Sequence, residues 1–326
     1  MDDFPGSFTR YLRCPRCREP LEESDGDLAC PSCRTVFGET GGIRDLIPPG
    51  LAPLKREERE HYTSETEYYL RMHSTWCESP FYRHYHRSFL RNFSSLPPSS
   101  LLLEVGCGLG HDGLELLRMG HRLVATDIAP GQLREARRLH RSAGYGGRSL
   151  HLLADAENLP FPDRLFDGVL MVASLHHLPD PLRGLREARR VLKPGGILVL
   201  GTEPNDWQNR TIYPLGKAAL SLVRRITGRE YGSGEKVSEA DKQAEGFSAR
   251  RLEELLRRAG FAAWKLEPAG YLSAAVFFLS TELSNMSGRL LSCFFLERCL
   301  VPVDEILGRL PMLRRYPWHW NASARR

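Results

Sequence analysis

The run Leu101-Leu102-Leu103-Glu104-Val105 leads straight into Gly106-Cys107-Gly108-Leu109-Gly110, an apolar strand followed by glycine at three alternate positions. Glycines so placed let the chain turn sharply and bring its backbone close to a bound group. A loop of this kind has meaning only between a strand and a helix. The next hundred residues supply that frame, because short apolar runs alternate with helical patterns as in a parallel sheet of βαβ units. Strands are expected at 101–105, 122–126, 150–154, 166–172 and 196–202, with helices between them, for example 130–143 and 181–192. Lys193-Pro194-Gly195-Gly196 reads as the turn that ends the second of these helices. A helix at 248–259 is capped by Ser248 and closed by Gly260. The last strands are expected at 261–268 and 318–322.

Acidic residues fall at successive strand ends. Glu104 lies inside the strand before the glycine loop, Asp127 ends Leu123-Val124-Ala125-Thr126-Asp127, and Asp155 ends Leu152-Leu153-Ala154-Asp155. In a parallel sheet all three face the crevice at the carboxyl edge. Asp127 suits both hydroxyls of a ribose, Asp155 an exocyclic adenine amine, and Glu104 the loop itself or a ligand ammonium reached through water. Together they indicate a nucleoside-containing cofactor.

The stretch 101–204 resembles the class I S-adenosylmethionine-dependent methyltransferases, in particular the type 11 group. Besides the glycine loop it carries Phe166-Asp167-Gly168-Val169-Leu170, Ser174-Leu175-His176-His177-Leu178-Pro179-Asp180-Pro181 and Glu187-Ala188-Arg189-Arg190-Val191-Leu192-Lys193-Pro194-Gly195-Gly196. The resemblance covers about a third of the chain and implies S-adenosyl-L-methionine as cofactor. It also implies an α/β fold: a Rossmann-like, mostly parallel seven-stranded sheet flanked by helices. By it, Gly106, Gly108 and Gly110 cradle the methionine part, Asp127 takes the ribose and Ile128 packs on adenine. Asp155 and Ala156 contact the adenine, and the backbone near Ser174 lines the methyl-donor pocket. A dehydrogenase would also use Asp127, but the two later motifs belong to the methyltransferase pattern.

The sulfonium methyl is already activated, so positioning and exclusion of water do much of the work. For a hydroxyl acceptor a base helps, and His176 and His177, just after the fourth strand, are the candidates. Nucleobase and glutamine amino-methyltransferases carry an Asn/Asp-Pro-Pro-aromatic motif there. This chain has Val172-Ala173-Ser174-Leu175 instead, which counts against exocyclic amine chemistry.

Cys14-Pro15-Arg16-Cys17 and Cys30-Pro31-Ser32-Cys33 are two CxxC knuckles with twelve residues between them. Four thiolates at this spacing close on one structural Zn2+ and leave no open position for catalysis. Residues 1–50 therefore read as a zinc ribbon, folded largely by its metal. With nine acidic residues against six basic, it is a poor phosphate binder. Cys77, Cys107, Cys293 and Cys299 read as small buried apolar residues.

Residues 51–98 look helical and are assigned to cover the cofactor site, although Tyr82, His84, Tyr85 and His86 read individually as surface aromatics. The methyltransferase domain then spans 99–326, with helical lid insertions at about 205–247 and 272–315. The second insertion holds Val276-Phe277-Phe278-Leu279 and Leu290-Leu291-Ser292-Cys293-Phe294-Phe295-Leu296, read first as helix core and otherwise as an apolar wall or interfacial face. An open wall would suit a small-molecule or lipid-like acceptor, methylated at oxygen, with peripheral membrane contact.

A chain with 41% hydrophobic and 26% charged residues is not disordered, and a net charge of +5 does not by itself imply nucleic acid. There is no signal-peptide pattern and no run long and apolar enough for a transmembrane segment, so a cytoplasmic protein is expected. Two alternatives stay open. One is an RNA (ribosomal RNA) methyltransferase that grips RNA through the ribbon, aided by Arg134/Arg137/Arg138/Arg141 and Arg183/Arg186/Arg189/Arg190, which otherwise form solvated faces. The other is a non-catalytic methyltransferase-like partner subunit, which loss of cofactor residues would mark, and none is lost.

Overall fold

The computed structural model describes residues 4–212, 225 and 246–326. Most of the first expected lid lies outside the described residues.

The centre is a seven-stranded sheet. Its strands are β6 (Leu101–Val105), β7 (Arg122–Asp127), β8 (Ser149–Leu153), β9 (Phe166–Val172), β10 (Leu192–Pro204), β11 (Ala263–Ala269) and β12 (His319–Arg325). They lie in the order β11-β12-β10-β9-β6-β7-β8, and β12 runs antiparallel to both of its neighbours. Chain order reverses between β6 and β9, which makes the glycine loop after β6 the switch point where such sheets bind ligands. β6 is buried at all five positions, as expected of a strand covered on both faces.

Helices α5 (His111–Arg118), α6 (Pro130–Ser142) and α7 (Pro181–Val191) connect the parallel strands. Helix Ala249–Ala259 has the expected Ser248 cap, whose hydroxyl accepts from the Arg251 N–H, and ends at left-handed Gly260. The Lys193–Gly196 turn differs from expectation. Leu192 already pairs with Phe166, and the next β10–β9 pair is Ile197 with Gly168, so the turn is an irregularity inside β10.

The N-terminal unit has three short antiparallel strands, β1 (Glu22–Ser24), β2 (Asp27–Ala29) and β3 (Val36–Phe37), then the pair β4 (Glu39–Thr40) and β5 (Ile43–Arg44). Its apolar residues Phe8, Leu12, Leu28 and Phe37 belong to the same core as Leu103, Phe161 and Val169 of the main domain. Arg18 donates two hydrogen bonds to Glu187 on α7, and Asp45 bridges to Leu153 alongside the edge strand β8. This covers an edge that would otherwise invite pairing.

The segment before the sheet forms α2 (Pro53–Ser64), α3 (Thr66–Trp76) and α4 (Pro80–Leu90). Tyr85 and His86 on α4 are buried, against the surface reading, because α4 packs on β10 and β12. The second lid is a helix pair, Leu272–Ser287 and Phe294–Leu307. Its apolar residues divide: Phe277 is buried, while Leu279 is 60% exposed and Phe295 82% exposed. Cys107 is buried as expected, Cys77 only half so, and Cys293 and Cys299 are exposed at the start and outer face of the second lid helix. Among the described residues no helix is long and apolar enough to cross a membrane.

Arginines expected on solvated faces partly serve as struts. Arg137 donates to the Gly42 carbonyl, Arg189 to the Gly260 carbonyl, and Arg190 to the Phe161 and Leu159 carbonyls.

Candidate active site

The glycine loop is held from beneath by β7. Gly106 and Cys107 both donate to the Thr126 carbonyl, and Asp127 accepts from the Gly108 and Ala129 N–H groups at 2.8 Å each. Gly106 sits at φ +69°, and a Cβ there would lie 2.7 Å from the Ser174 Cβ. Only glycine fits both the backbone and the space. Burial raises the Asp127 carboxyl, opposed by the N–H groups of Ala129 and Gly108. Glu104 is buried beside Asp112 and Asp127, and burial pushes its carboxyl well above the ordinary range. Among the described residues its Oε2 has no hydrogen-bond partner, an orphan that fits a ligand ammonium or ordered water.

Glu104, Gly106, Gly108, Gly110, Asp127, Ile128, Asp155, Ala156 and Ser174 all line one cavity of about 500 Å³, together with His176 and His177. The fit to an adenosyl amino acid is good at the loop and at Asp127. Asp155 also has a partner that the sequence did not indicate. Lys55 Nζ donates to both of its carboxylate oxygens and to Glu157, each at 2.8 Å, and the Glu157 N–H and Asn158 amide add two more bonds. The buried acid is thus neutralised by a buried lysine from α2, as burial of charge requires. In sequence Lys55 belongs to the polar run Lys55–Glu60, and nothing there marks a partner one hundred residues away.

The two histidines after β9 have different partners. His176 Nδ1 lies 2.9 Å from Glu203 Oε2, and Glu203 is fully buried. The same carboxylate accepts from the backbone N–H groups of Ser174, Leu175 and His176. An acceptor facing Nδ1 makes that nitrogen carry the proton of the neutral ring. Glu203 was missed because a regular β10 would turn it elsewhere. Between Leu200 and Glu203 the register to β12 slips, with Thr202 at φ +49° and its N–H donating to Asn321. That bulge aims the acid at His176. His177 Nε2 is 3.4 Å from the Tyr62 hydroxyl, and its Nδ1 is 3.3 Å from Glu58 on α2.

The rest of the wall is aromatic and apolar: Tyr69, Trp76, Phe81, Met171, Phe277 and Phe278. His86 pairs with Asp112 at 2.7 Å and stacks on Tyr82, whose ring centroid is 3.6 Å away. His73 and His319 are held neutral, their imidazoles pushed down to about 3, chiefly by burial and secondly by neighbouring histidines.

In the N-terminal unit the two knuckles are near copies. The Arg18 N–H donates to the Cys14 carbonyl and the Arg34 N–H to the Cys30 carbonyl, with both arginines at positive φ. Cys14 and Cys33 sulfurs are 3.5 Å apart, Cys17 and Cys30 sulfurs 3.3 Å, and all four lie within 4.8 Å of one another. Thr35 donates to Cys33 from its side chain and backbone and lowers that thiol to about 6. The donor set and spacing fit tetrahedral zinc.

Residues 103–200, which carry the loop, the acids and both histidines, match the family model described as a methyltransferase domain. Residues 103–200 are thus a methyltransferase domain set in a Rossmann-like sheet. The chain is 32% identical over 174 residues to 27-O-demethylrifamycin SV methyltransferase of Amycolatopsis mediterranei, which takes in 48% of this chain and 64% of that protein. The chain thus spans a little under two thirds of that relative's length. It is 31% identical over 267 residues to an uncharacterised 37.1 kDa protein in transposon Tn4556 of Streptomyces fradiae, covering 81% of this chain and 70% of that one. Among solved structures, phosphoethanolamine N-methyltransferase 2 of Haemonchus contortus, in complex with S-adenosyl-L-methionine, shares the fold. The TM-score is 0.55 at 18% identity, over 85% of this chain and 60% of that chain.

Proposed function

We propose that the protein transfers a methyl group from S-adenosyl-L-methionine to an oxygen of an apolar, small-molecule or lipid-like acceptor, with His176 as general base and a structural zinc in the N-terminal unit. The observation that carries this reading is the cavity shared by the glycine loop, His176 (backed by buried Glu203) and an aromatic wall. When bound, S-adenosyl-L-methionine supplies an activated methyl group. Gly106, Gly108 and Gly110 hold its amino-acid part, Asp127 the ribose, and Ile128 with Ala156 the adenine. Asp155 acts through Lys55, fixing α2 over this end of the cavity. Phe277, Phe278 and Trp76 seat the acceptor and keep water away, and His176 Nε2 takes the hydroxyl proton as attack proceeds.

The name of the rifamycin relative, a methyltransferase at a 27-O position, supports an oxygen acceptor. Exposed Leu279, Leu283, Phe295 and Ile306 on the lid helices support an acceptor that arrives from an apolar phase. The four-cysteine cluster supports the zinc, and with every thiolate engaged it would take no part in methyl transfer.

Methyl transfer from radiolabelled S-adenosyl-L-methionine into a fractionated extract of the source organism tests the reading. Label is expected in the organic-solvent phase. Ribonuclease-sensitive label would overturn the acceptor class, and tight cofactor binding with no label in any fraction would favour a non-catalytic partner subunit.

A further inference from the structure

His73, Cys77 and His111 have no part in the chemistry above, yet they meet in one place. His73 and Cys77 are four residues apart, so they share a face of α3 and its end. His111 opens α5 directly after the glycine loop. One ligand atom from each residue lies within 4.8 Å of the others. The two imidazoles stack with centroids 5.0 Å apart and planes within 7°. None of the three side chains has a hydrogen bond among the described residues, and His73 Nδ1 is a buried nitrogen without a partner. Buried polar atoms are seldom left so, and one that is calls for a missing ligand.

We infer that His73, Cys77 and His111 bind a zinc-like divalent cation whose fourth position opens on the cavity. Two imidazoles and a thiolate suit zinc and its borderline neighbours and disfavour magnesium or calcium, which take oxygen. Bonds of about 2.0–2.3 Å require ligand atoms roughly 3.3–3.8 Å apart, so the side chains need close by at most about 1.5 Å. Asp112, Glu78 and Glu115 surround Cys77 with negative charge that favours a cation. On binding, the thiol proton leaves to solvent and the sulfur bonds the metal. Both histidines belong to the cavity wall and Cys77 does not, so the thiolate would anchor the ion from behind. The open position is suited to a water or to a hydroxyl or phenolate oxygen of the acceptor. Metal binding stands independently of the methyl-transfer reading; the oxygen ligand deepens it.

The test is Co2+ titration of the full chain, stripped of metal under reducing conditions, followed by metal content and thiolate–cobalt absorption. Cys77→Ser and His111→Gln are compared with the unaltered protein, and melting curves verify that each variant is folded. The expected result is one equivalent lost in both variants, whatever the four-cysteine cluster retains. Cobalt content and absorption unchanged by either substitution would overturn the inference, and so would a protein that takes up no cobalt. Loss in Cys14→Ser alone would locate all the binding in the N-terminal unit and overturn it equally.

Discussion

Replacing Glu203 by Gln changes one atom of a fully buried group, and the structure indicates how the change resolves. Four donors converge on the carboxylate: the Ser174 and Leu175 N–H groups on Oε1, and the His176 N–H and Nδ1–H on Oε2. An amide offers one acceptor oxygen. If that oxygen replaces Oε2, the new NH2 faces two backbone donors and orphans both. If it replaces Oε1, only the His176 N–H is orphaned, because the imidazole can switch tautomer and accept. Each buried orphan costs about 1–3 kcal/mol, so the second arrangement wins by about that amount. The protein should therefore fold, destabilised by about 1–3 kcal/mol.

In the proposed mechanism the tautomer switch decides activity. With its proton moved to Nε2, His176 cannot act as the base, and a base contributes about 10²–10⁴-fold to such a step. Glu203→Gln should lower kcat by that factor, with cofactor affinity unchanged. Adding it to His176→Ala should cause little further loss, because the two residues act as one unit. Turnover is measured with the acceptor found by extract labelling, and imidazole 15N shifts report which nitrogen carries the proton. A folded variant with full turnover, or an Nδ1-protonated His176 in the variant, would refute the reasoning.

Asp127→Ala should weaken S-adenosyl-L-methionine binding by roughly 10–100-fold, the worth of hydrogen bonds to a carboxylate; unchanged affinity by calorimetry would remove the ribose assignment. Chelation, or Cys17→Ser, should release zinc from the N-terminal unit and make residues 1–50 protease-sensitive while the sheet persists, because metal binding there is folding energy. An unchanged digestion pattern would count against a structural metal. Burial alone would raise Glu187, but hydrogen bonds from Arg190 and Arg18 outweigh it and hold the carboxyl below the usual range. Its contribution is therefore present above the unfolded carboxylate pKa and lost as pH falls through the depressed value. Urea unfolding of Glu187→Gln should show a deficit at neutral pH that shrinks in acid, and a pH-independent deficit would contradict the linkage.

What was legible in the sequence follows from the range of the interactions involved. The sheet was readable because its strands are short apolar runs between helices with local start and stop signals, such as Ser248 and Gly260. The cysteine knuckles were readable for a similar reason, since each pair of sulfurs comes from one tight turn. The partners that complete the site were not. Lys55 meets Asp155 across one hundred residues, and α4 hides Tyr85 and His86 only by docking on the sheet. Cys293 and Cys299 were misread as buried because the apolar character around them covers the whole lid helix pair, and hydrophobicity alone does not say which face turns inward.

Glu203 shows most clearly where local reading ends. Strand alternation predicts which face each residue of β10 takes until one residue too many enters opposite β12, and from there the faces exchange. The exchange carries strain: Thr202 on β10 and Ala173 after β9 both have left-handed backbones, and the Ala173 N–H donates to the carbonyl of Gly201. Such residues cost of order 1–3 kcal/mol each and persist only where the surroundings over-determine them. Here the surroundings are the four donors on Glu203 and the Asn321 bond to Thr202. Strain on two adjacent strand ends thus places an acid under a histidine beside the glycine loop. A sheet optimised for stability alone would have left that bulge out.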